Sequence, residues 1–166
     1  CNIFIVDGDT EGAAVTCLLE ESVIDSDKPL IICNSDQIID WDSRSFMYNL
    51  ISKNADGGIA VFNSDDPKWS YAKINESGVV IEVAEKKPIS NLATVGIYYW
   101  KSGNDFVKYA KSMIDKNIRT NNEFYVCPVF NEAILDNKSI YTDLVNKMWG
   151  VGTPEDLKEY CDNYIS

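Results

Sequence analysis

The chain has 166 residues, a formal net charge of −11 and no histidine. Its charge argues against nucleic acid or an anionic membrane surface as a partner, because phosphate groups repel such a chain. The lack of histidine excludes Ser-His-Asp and Cys-His catalytic units and every histidine-based metal site, so acid–base or metal chemistry must come from carboxylates, lysine, tyrosine or the backbone.

The length predicts a single domain over residues 1–166. No apolar run approaches the roughly 20 residues needed to span a bilayer, so no membrane insertion is expected. The five cysteines are scattered and form no CxxC pair, which is typical of reduced thiols in a cytoplasmic protein. The sequence leaves open whether the chain forms a homo-oligomer.

The amino-terminal part predicts a strand over residues 3–6 and then a helix, with Thr10 as its N-cap. Small residues at 12–14 would let the helix start approach a ligand closely, although tight packing against the sheet explains them equally well. The chain opens at Cys1 and enters a strand-like run within two residues. We therefore expect that upstream sequence is missing or that an earlier strand comes from elsewhere.

The apolar run over residues 30–33 predicts a strand buried on both faces, as in the middle of a parallel sheet. Asn34, Ser35 and Asp36 follow it, at the end of the strand where open α/β sheets bind ligands. A desolvated Asp36 needs a partner, and Mg²⁺ held by one or two carboxylates and substrate phosphates meets that need. The alternative is a solvated Asp36 that caps the next helix.

The remaining elements alternate between strands and helices. Together they predict an α/β fold, a Rossmann-like three-layer α/β/α arrangement with a mostly parallel central sheet. In chain order they are a helix over 44–53, a turn over 56–58, a strand over 59–62, a hairpin over 70–84, a strand over 93–100, an amphipathic helix over 105–116, a helix over 123–135 that is interrupted or begins near Pro128, a strand-like run over 140–151 and a last helix beginning at Thr153 and Pro154.

Several spaced motifs agree in order and spacing. Between residues 70 and 100 the chain has a strand with Tyr71, a hairpin with Gly78, the turn Glu85-Lys86-Lys87-Pro88, and a strand in which aromatics follow Gly96. This pattern resembles the sugar-1-phosphate nucleotidyltransferases, the nucleotide-sugar pyrophosphorylase family that includes glucose-1-phosphate thymidylyltransferase. Residues 10–14, 34–37 and 150–157 also resemble segments of that family, so the resemblance covers nearly the whole chain.

The resemblance implies a nucleotide-diphospho-sugar transferase fold and an activity that joins an NTP to a sugar 1-phosphate or a similar phosphate ester, with release of pyrophosphate. It also implies a cytoplasmic enzyme that makes precursors of surface polysaccharide. Such phosphoryl-type transfer depends on positioning and charge neutralisation more than on covalent chemistry. Mg²⁺ is the implied cofactor.

The resemblance also assigns roles to individual residues. It implies that Asp36 binds Mg²⁺ and that Lys86 contacts the sugar phosphate, as the catalytic pair. It implies that Glu85 accepts hydrogen bonds from sugar hydroxyls and that the backbone of Gly96 approaches the sugar, with Tyr71 beside it. The other expected substrate-binding residues are Thr10, Glu11, Gly12 and Ala13 for the base and ribose, with Asn34 and Ser35 next to Asp36.

Three departures from the family pattern affect these expectations. The family's Gly-rich loop, whose Arg and Lys cradle the triphosphate, lies before the point where this chain starts. We therefore expect the first strand–loop–helix unit to be missing and transfer by this chain alone to be inefficient. Gly150 stands where the terminal block often has a second metal-binding Asp, and Ala72 replaces the usual Gly after the tyrosine.

Two other classes of protein remain open at this stage. A nucleotide-sugar-dependent glycosyltransferase of related fold would use Asp65 and Asp66, or Asp36 and Asp40, as metal carboxylates. Those enzymes usually place two Asp residues one position apart at the central strand end, where this chain has Asn34 first. A non-catalytic binding or regulatory homologue would keep the fold without the triphosphate loop.

Overall fold

A computed structural model describes residues 3–164 of the chain. No helix within this part is long and apolar enough to cross a bilayer. The described residues form six helices and eight strands. In chain order these are α1 (Ala13–Leu18), α2 (Glu21–Ile24), β1 (Leu30–Cys33), β2 (Gln37–Asp40), α3 (Ser43–Ser52), β3 (Gly57–Asn63), β4 (Ser70–Ile74), β5 (Val80–Glu85), β6 (Leu92–Trp100), α4 (Gly103–Asp115), α5 (Val129–Leu135), β7 (Ile140–Leu144), β8 (Lys147–Gly150) and α6 (Pro154–Tyr164).

The larger sheet has the order β5-β4-β6-β3-β7, and β1 also pairs with β6. Strand β6 runs antiparallel to β1, β3 and β4, whereas β3 and β7 are parallel. The α/β class is confirmed, but the sheet is mixed where mostly parallel pairing was expected. The reason is that β6 inserts between β1 and β3, which share one direction, and runs against both.

Side chains of β6 alternate between two hydrophobic clusters, one on each face of the sheet. Tyr98 and Trp100 pack on the face covered by α4 and α5, where Trp100 stacks on Phe130 with 4.2 Å between ring centroids. Val95, Ile97 and Tyr99 pack on the opposite face against Phe46 and Leu50 of α3. Helices therefore cover both faces, and the three-layer prediction is confirmed.

The strand predicted over residues 30–33 is present as β1, but it is not buried on both faces. Leu30 and Ile32 pack against the cluster on the α4 side, whereas Ile31 is 45% exposed. Among the described residues β1 pairs only with β6. Its side chains therefore alternate between a covered face and an open face, as in a half-buried strand.

The amino-terminal predictions need two corrections. Residues 3–6 do not form a strand, because no described strand pairs with them, and their side chains are exposed. The N-cap of α1 is Gly12, not Thr10. The Thr10 hydroxyl instead donates to the Gly12 carbonyl and shares a 2.6 Å hydrogen bond with the Thr16 hydroxyl. Gly12 has φ of +120°, and a Cβ there would stand 2.6 Å from the Phe124 backbone. Tight packing therefore accounts for this glycine.

Two further predictions differ in detail. Gly57 and Gly58 begin strand β3 where a turn was expected, because Leu50 of α3 fills the space that a Cβ on Gly58 would need. The strand-like run over residues 140–151 divides into β7 and β8, which belong to different sheets. Strand β8 pairs antiparallel with β2, which was not predicted, and this two-stranded ribbon brings Gln37 opposite Gly150.

Candidate functional site

An open cavity of about 290 Å³ lies at the carboxyl end of β1. Six of the residues proposed for the site from sequence line it: Ala13, Asn34, Asp36, Glu85, Lys86 and Gly96. They come from the start of α1, the end of β1, the end of β5 and the middle of β6. The fold therefore gathers segments up to 83 residues apart, from Ala13 to Gly96, around one cavity.

Gly96 shapes the cavity wall. Its φ of +76° is in the left-handed region, which favours glycine, and a Cβ there would stand 2.5 Å from the side-chain amide of Asn34. The Asn34 backbone N–H donates to the Gly96 carbonyl at 2.9 Å. The glycine thus leaves the room that the Asn34 side chain occupies beside the cavity.

Glu85 places a partly buried carboxylate in the cavity at the end of β5. The Ser70 hydroxyl donates to its Oε2 at 2.5 Å across the β4–β5 pair. Burial raises the pKa of Glu85, and the Ser70 hydrogen bond and the Lys86 charge offset only part of that rise. This carboxylate is therefore under-partnered and free to accept further hydrogen bonds from a ligand.

Lys86 places a cation beside that carboxylate. Its φ of +54° is in the left-handed region, and its backbone N–H donates to the Trp69 carbonyl at 3.0 Å. The ammonium donates to the Tyr125 hydroxyl at 2.9 Å and lies 5.0 Å from the centre of that ring. The hydrogen bond to Tyr125 raises the pKa of Lys86, so the side chain is charged at neutral pH.

The buried wall of the cavity is polar but neutral. Thr94 and Tyr98 share a hydrogen bond of 3.0 Å, and Cys127 lies beside them with 1% of its surface exposed. Burial raises the pKa of Tyr98 and of Cys127 well above their ordinary values. The carboxylate and ammonium side chains that line the cavity are those of Asp36, Lys68, Glu85 and Lys86.

Asp36 lies at the junction between the cavity and the amino terminus of α6. Its backbone carbonyl accepts from Val151 N–H at 2.8 Å. Its carboxylate lies close to Gly152, because a Cβ on that glycine would stand 2.6 Å from Oδ2. Next to it, Oε1 of Gln37 is buried and has no hydrogen-bond partner within residues 3–164. In the same part of the chain no group of three or more Asp, Glu or Cys side chains is arranged to hold a metal ion.

Five of the residues proposed from sequence do not line this cavity: Thr10, Glu11, Gly12, Ser35 and Tyr71. Tyr71 is fully buried, and its hydroxyl donates to the Asp66 carbonyl at 2.7 Å. Glu11 forms an ion pair with Arg119, and its carbonyl accepts from Phe124 N–H. The segment before α1 is thus tied to the segment that carries Tyr125.

The sequence reasoning missed several residues of the cavity, among them Lys68, Trp69, Ser70 and Tyr125. Lys68 and Trp69 lie between the polar loop and β4, and Tyr125 lies in an irregular segment between α4 and α5. None of these segments has the periodicity of a helix or strand that would indicate which way its side chains point. Only Ser70 carried a usable signal, because it pairs directly with Glu85 across the predicted hairpin.

Of the four carboxylates given for the glycosyltransferase alternative, Asp36 lines the cavity, and Asp40, Asp65 and Asp66 do not. Asp65 and Asp66 do not line the cavity, and Asp66 accepts from Lys68 N–H at 3.0 Å while its other oxygen lies 3.7 Å from the Lys68 ammonium. Asp40 is directly opposite Lys147 in the β2–β8 ribbon. Neither Asp65 with Asp66 nor Asp36 with Asp40 therefore forms a pair of carboxylates at this cavity.

Comparisons with known proteins identify a family and a similar fold. A family model described as nucleotidyl transferase matches residues 2–166. The fold is similar to that of a nucleoside-diphosphate-sugar pyrophosphorylase from Vibrio cholerae RC9, with a TM-score of 0.78 and 24% identity over 95% of this chain and 68% of the other. No curated protein matches the chain.

Two structures of UDP-glucose pyrophosphorylase are also similar. One, complexed with UDP-glucose, has a TM-score of 0.72 and 18% identity over 95% of this chain and 63% of its own. The other, the apo form, has a TM-score of 0.74 and 17% identity over 95% of this chain and 61% of its own. The chain thus spans less than two thirds of the length of both.

Proposed function

The chain belongs to the nucleotidyl transferase family, and on that premise we propose that it transfers a nucleoside monophosphate from an NTP to a sugar 1-phosphate or a similar phosphate ester. Pyrophosphate is the second product. The proposal includes a cytoplasmic role in making precursors of surface polysaccharide. The solved structure of similar fold that contains UDP-glucose supports a nucleotide sugar as the product class.

One observation carries this proposal: Glu85 and Lys86 present a hydrogen-bond acceptor and a cation to the same cavity as Asp36. A carboxylate accepts hydrogen bonds from sugar hydroxyls, and an ammonium is a point charge for a phosphate oxyanion. Because the two residues are consecutive, they would bind the two ends of one small molecule, its hydroxyl-bearing part and its phosphate. The cavity of about 290 Å³ has room for a ligand of that size.

In the proposed reaction an oxygen of the ester phosphate forms a bond to the α-phosphorus of the NTP. The bond from that phosphorus to the bridging oxygen breaks, and pyrophosphate leaves. Lys86 would hold the attacking phosphate and offset its charge, and Glu85 would fix the orientation of the sugar. Ala13 and Asn34, which line the same cavity, would face the nucleotide.

Mg²⁺ is part of the proposal, and the residues present are suited to it. Asp36 offers an exposed carboxylate, and the adjacent Gln37 carries a buried oxygen without a partner in the described part of the chain. Both are hard oxygen donors of the kind that Mg²⁺ prefers. When bound, the cation would offset the charge of the triphosphate, and Asp36 would be its protein ligand.

A calorimetric titration with each common NTP and with a panel of sugar 1-phosphates, in Mg²⁺, tests the proposal. It is repeated with Asp36→Asn and with Asp66→Asn, a matched change at an exposed carboxylate outside the cavity. We expect binding of a phosphorylated ligand that weakens in Asp36→Asn and is unchanged in Asp66→Asn. Weakening in Asp66→Asn alone, with donor hydrolysis of a nucleotide sugar, would instead favour the glycosyltransferase.

The same protein preparations are assayed for pyrophosphate release from the NTP and sugar 1-phosphate that bind best. We expect release to depend on both substrates together. Because transfer by this chain alone is expected to be inefficient, slow release that needs both substrates supports the proposal. Release from the NTP that does not depend on the sugar 1-phosphate would contradict the transferase proposal.

A further inference from the structure

The segment between α4 and α5, residues 116–128, is sharply folded. Asn117, Asn121 and Asn122 have φ values of +52°, +47° and +70°, in the left-handed region that few residues other than glycine adopt. Thr120 and Glu123 close the turn around two of them by exchanging both backbone hydrogen bonds, at 3.0 and 2.9 Å. Backbone conformations of this kind persist where surrounding contacts hold them in place.

The Arg119 side chain supplies such contacts. Its Nε donates to Oδ1 of Asn117 at 2.7 Å, and one terminal nitrogen donates to the Asn122 carbonyl at 2.9 Å. The other terminal nitrogen donates to the carboxylate of Glu11, which lies in the segment before α1. The guanidinium carbon lies 3.9 Å from the centre of the Phe124 ring. One planar group therefore joins several points of the 116–128 segment to a residue 108 positions away in the chain.

Phe124 connects Arg119 to the cavity. Its side chain is buried, with 2% exposed. Its backbone N–H donates to the Glu11 carbonyl at 2.8 Å, and its carbonyl accepts from Ala14 N–H at 2.9 Å. These two hydrogen bonds and the guanidinium on its ring hold Phe124 against the start of α1. Because Tyr125 is the next residue, its direction depends on how Phe124 is held.

Tyr125 has little other support. Within residues 3–164 the only hydrogen bond of its side chain is the one from the Lys86 ammonium, at 2.9 Å. Tyr125 and Lys86 line the cavity, whereas Arg119 does not. An effect of Arg119 on a ligand in the cavity must therefore pass through the residues that it holds.

We propose that Arg119 is a positioning residue, which holds the 116–128 segment against the segment before α1 and thereby places the Tyr125 hydroxyl where it binds the Lys86 ammonium. The inference rests on the proposed function, which assigns the phosphate ester to Lys86. Ala13 lines the same cavity and precedes the residue bonded to Phe124. The contacts of Arg119 thus also tie the wall proposed for the nucleotide to the wall proposed for the phosphate ester.

The first test needs no ligand. Fluorotyrosine replaces tyrosine throughout the chain, and the fluorine NMR signal of Tyr125 is identified by its loss in Tyr125→Phe. That signal is compared among the unmodified chain, Arg119→Met, Arg119→Lys, Lys86→Met and Arg44→Met. Arg44→Met is the matched control, because the Arg44 guanidinium also pairs with a carboxylate, that of Asp42 at 3.3 Å, and its side chain is 92% exposed. Circular dichroism of each variant checks that it is folded.

We expect the Tyr125 signal to move in the same direction in Arg119→Met as in Lys86→Met, because both variants disturb the contact between the hydroxyl and the ammonium. Arg119→Lys should move it less, since a lysine keeps the charge but lacks the planar set of donors. Arg44→Met should leave it unchanged. A Tyr125 signal that stays at its unmodified position in both Arg119 variants would overturn the inference.

The second test is a calorimetric titration of glucose 1-phosphate, in Mg²⁺, into the unmodified chain, Arg119→Met, Tyr125→Phe and the double variant. We expect each single variant to bind about fivefold more weakly, as for the loss of one hydrogen bond. The double variant should bind within about twofold of Tyr125→Phe, because Arg119 acts through Tyr125.

A purely structural role of Arg119 predicts a different result. The two losses would then multiply to roughly 25-fold in the double variant, which would overturn the inference and leave the proposed function standing. Failure of the unmodified chain to bind any phosphate ester would count against the proposed function, and the fluorine signal of Tyr125 would still decide the inference.

Discussion

Two glutamates in this molecule, Glu132 and Glu85, are removed from water, and their surroundings shift the pKa values of the two carboxyl groups in opposite directions. Glu132 of α5 is 6% exposed and accepts hydrogen bonds from Ser112 and from the Lys116 ammonium, each at 2.6 Å. Glu85 of β5 is partly buried and accepts from Ser70, whereas its neighbouring cation, Lys86, is bonded to Tyr125 instead. The Glu132 carboxylate thus has a hydroxyl and a cation as partners, whereas the Glu85 carboxylate has only a hydroxyl.

The pKa values follow this difference. Burial raises the pKa of Glu132, but the hydrogen bonds from Lys116 and Ser112 outweigh it, and the net pKa lies below the ordinary value. At Glu85 burial prevails, and the net pKa lies above the ordinary value. An ionised group whose desolvation is left uncompensated is typical of a binding site, because a ligand can supply the missing partners.

The largest expected effect on stability comes from breaking the ion pair between Lys116 and Glu132. Lys116→Met leaves Glu132 buried with only Ser112 as a partner, and we expect the free energy of unfolding at neutral pH to fall by about 2 kcal/mol. The pKa of Glu132 is lowered in the folded state, so its stabilisation is present above the unfolded pKa and is lost as pH falls through the folded pKa. Urea unfolding at neutral and acidic pH measures both quantities.

The control for that experiment is Lys111→Met on helix α4, which removes an exposed ion pair with Glu21 of helix α2. Surface pairs contribute about 0–1 kcal/mol, so this variant should change little. An equal loss of stability in both variants would show that burial of Glu132 is not the reason for the effect.

At Glu85 we expect a smaller effect on the free energy of unfolding, and a gain in stability where Lys116→Met gives a loss. Because its pKa is raised in the folded state, stability is full below the unfolded pKa and decreases as pH rises through the folded pKa. Glu85→Gln removes that penalty while an oxygen remains to accept from Ser70. We expect the variant to be more stable than the unmodified chain at neutral pH and not at acidic pH, as measured by urea unfolding. Destabilisation at neutral pH would mean that Glu85 is structural, like Glu132.

The smallest effect is expected from Tyr125→Phe, which keeps the ring beneath Lys86 and removes the hydroxyl that accepts from it. Loss of one such hydrogen bond costs about 1 kcal/mol, which corresponds to roughly fivefold weaker binding of the phosphate ester. Stability should not change measurably. Tyr48→Phe, at an exposed tyrosine of α3, is the control in a calorimetric titration. Equal effects of the two variants would contradict a role for Tyr125 in positioning Lys86.

The sequence predicted those parts of the site that depend on local order. Asp36 follows an apolar strand, and Glu85 and Lys86 end a hairpin strand, so their place in the fold follows from neighbouring residues. Strand β6 was predicted from its β-branched and aromatic residues, and the cap of α6 from Thr153 and Pro154.

The remaining parts depend on contacts between segments distant in sequence. Tyr125 meets Lys86 across 39 positions, and Gly12 is a glycine because the Phe124 backbone lies against it. Residues 3–6 have the composition of a strand, but a strand also needs a partner, and no described strand provides one. The mixed direction of the sheet is likewise decided by where β6 inserts, which no local pattern reveals.

The central claim is that the under-partnered carboxylate of Glu85 is kept for a ligand. Its most direct test is a calorimetric titration of glucose 1-phosphate, in Mg²⁺, into the unmodified chain, Glu85→Gln and Lys116→Met. We expect Lys116→Met to bind like the unmodified chain where it remains folded, and Glu85→Gln to bind about tenfold more weakly, since hydrogen bonds to a charged acceptor are lost. Equal affinity in Glu85→Gln and the unmodified chain would contradict the claim.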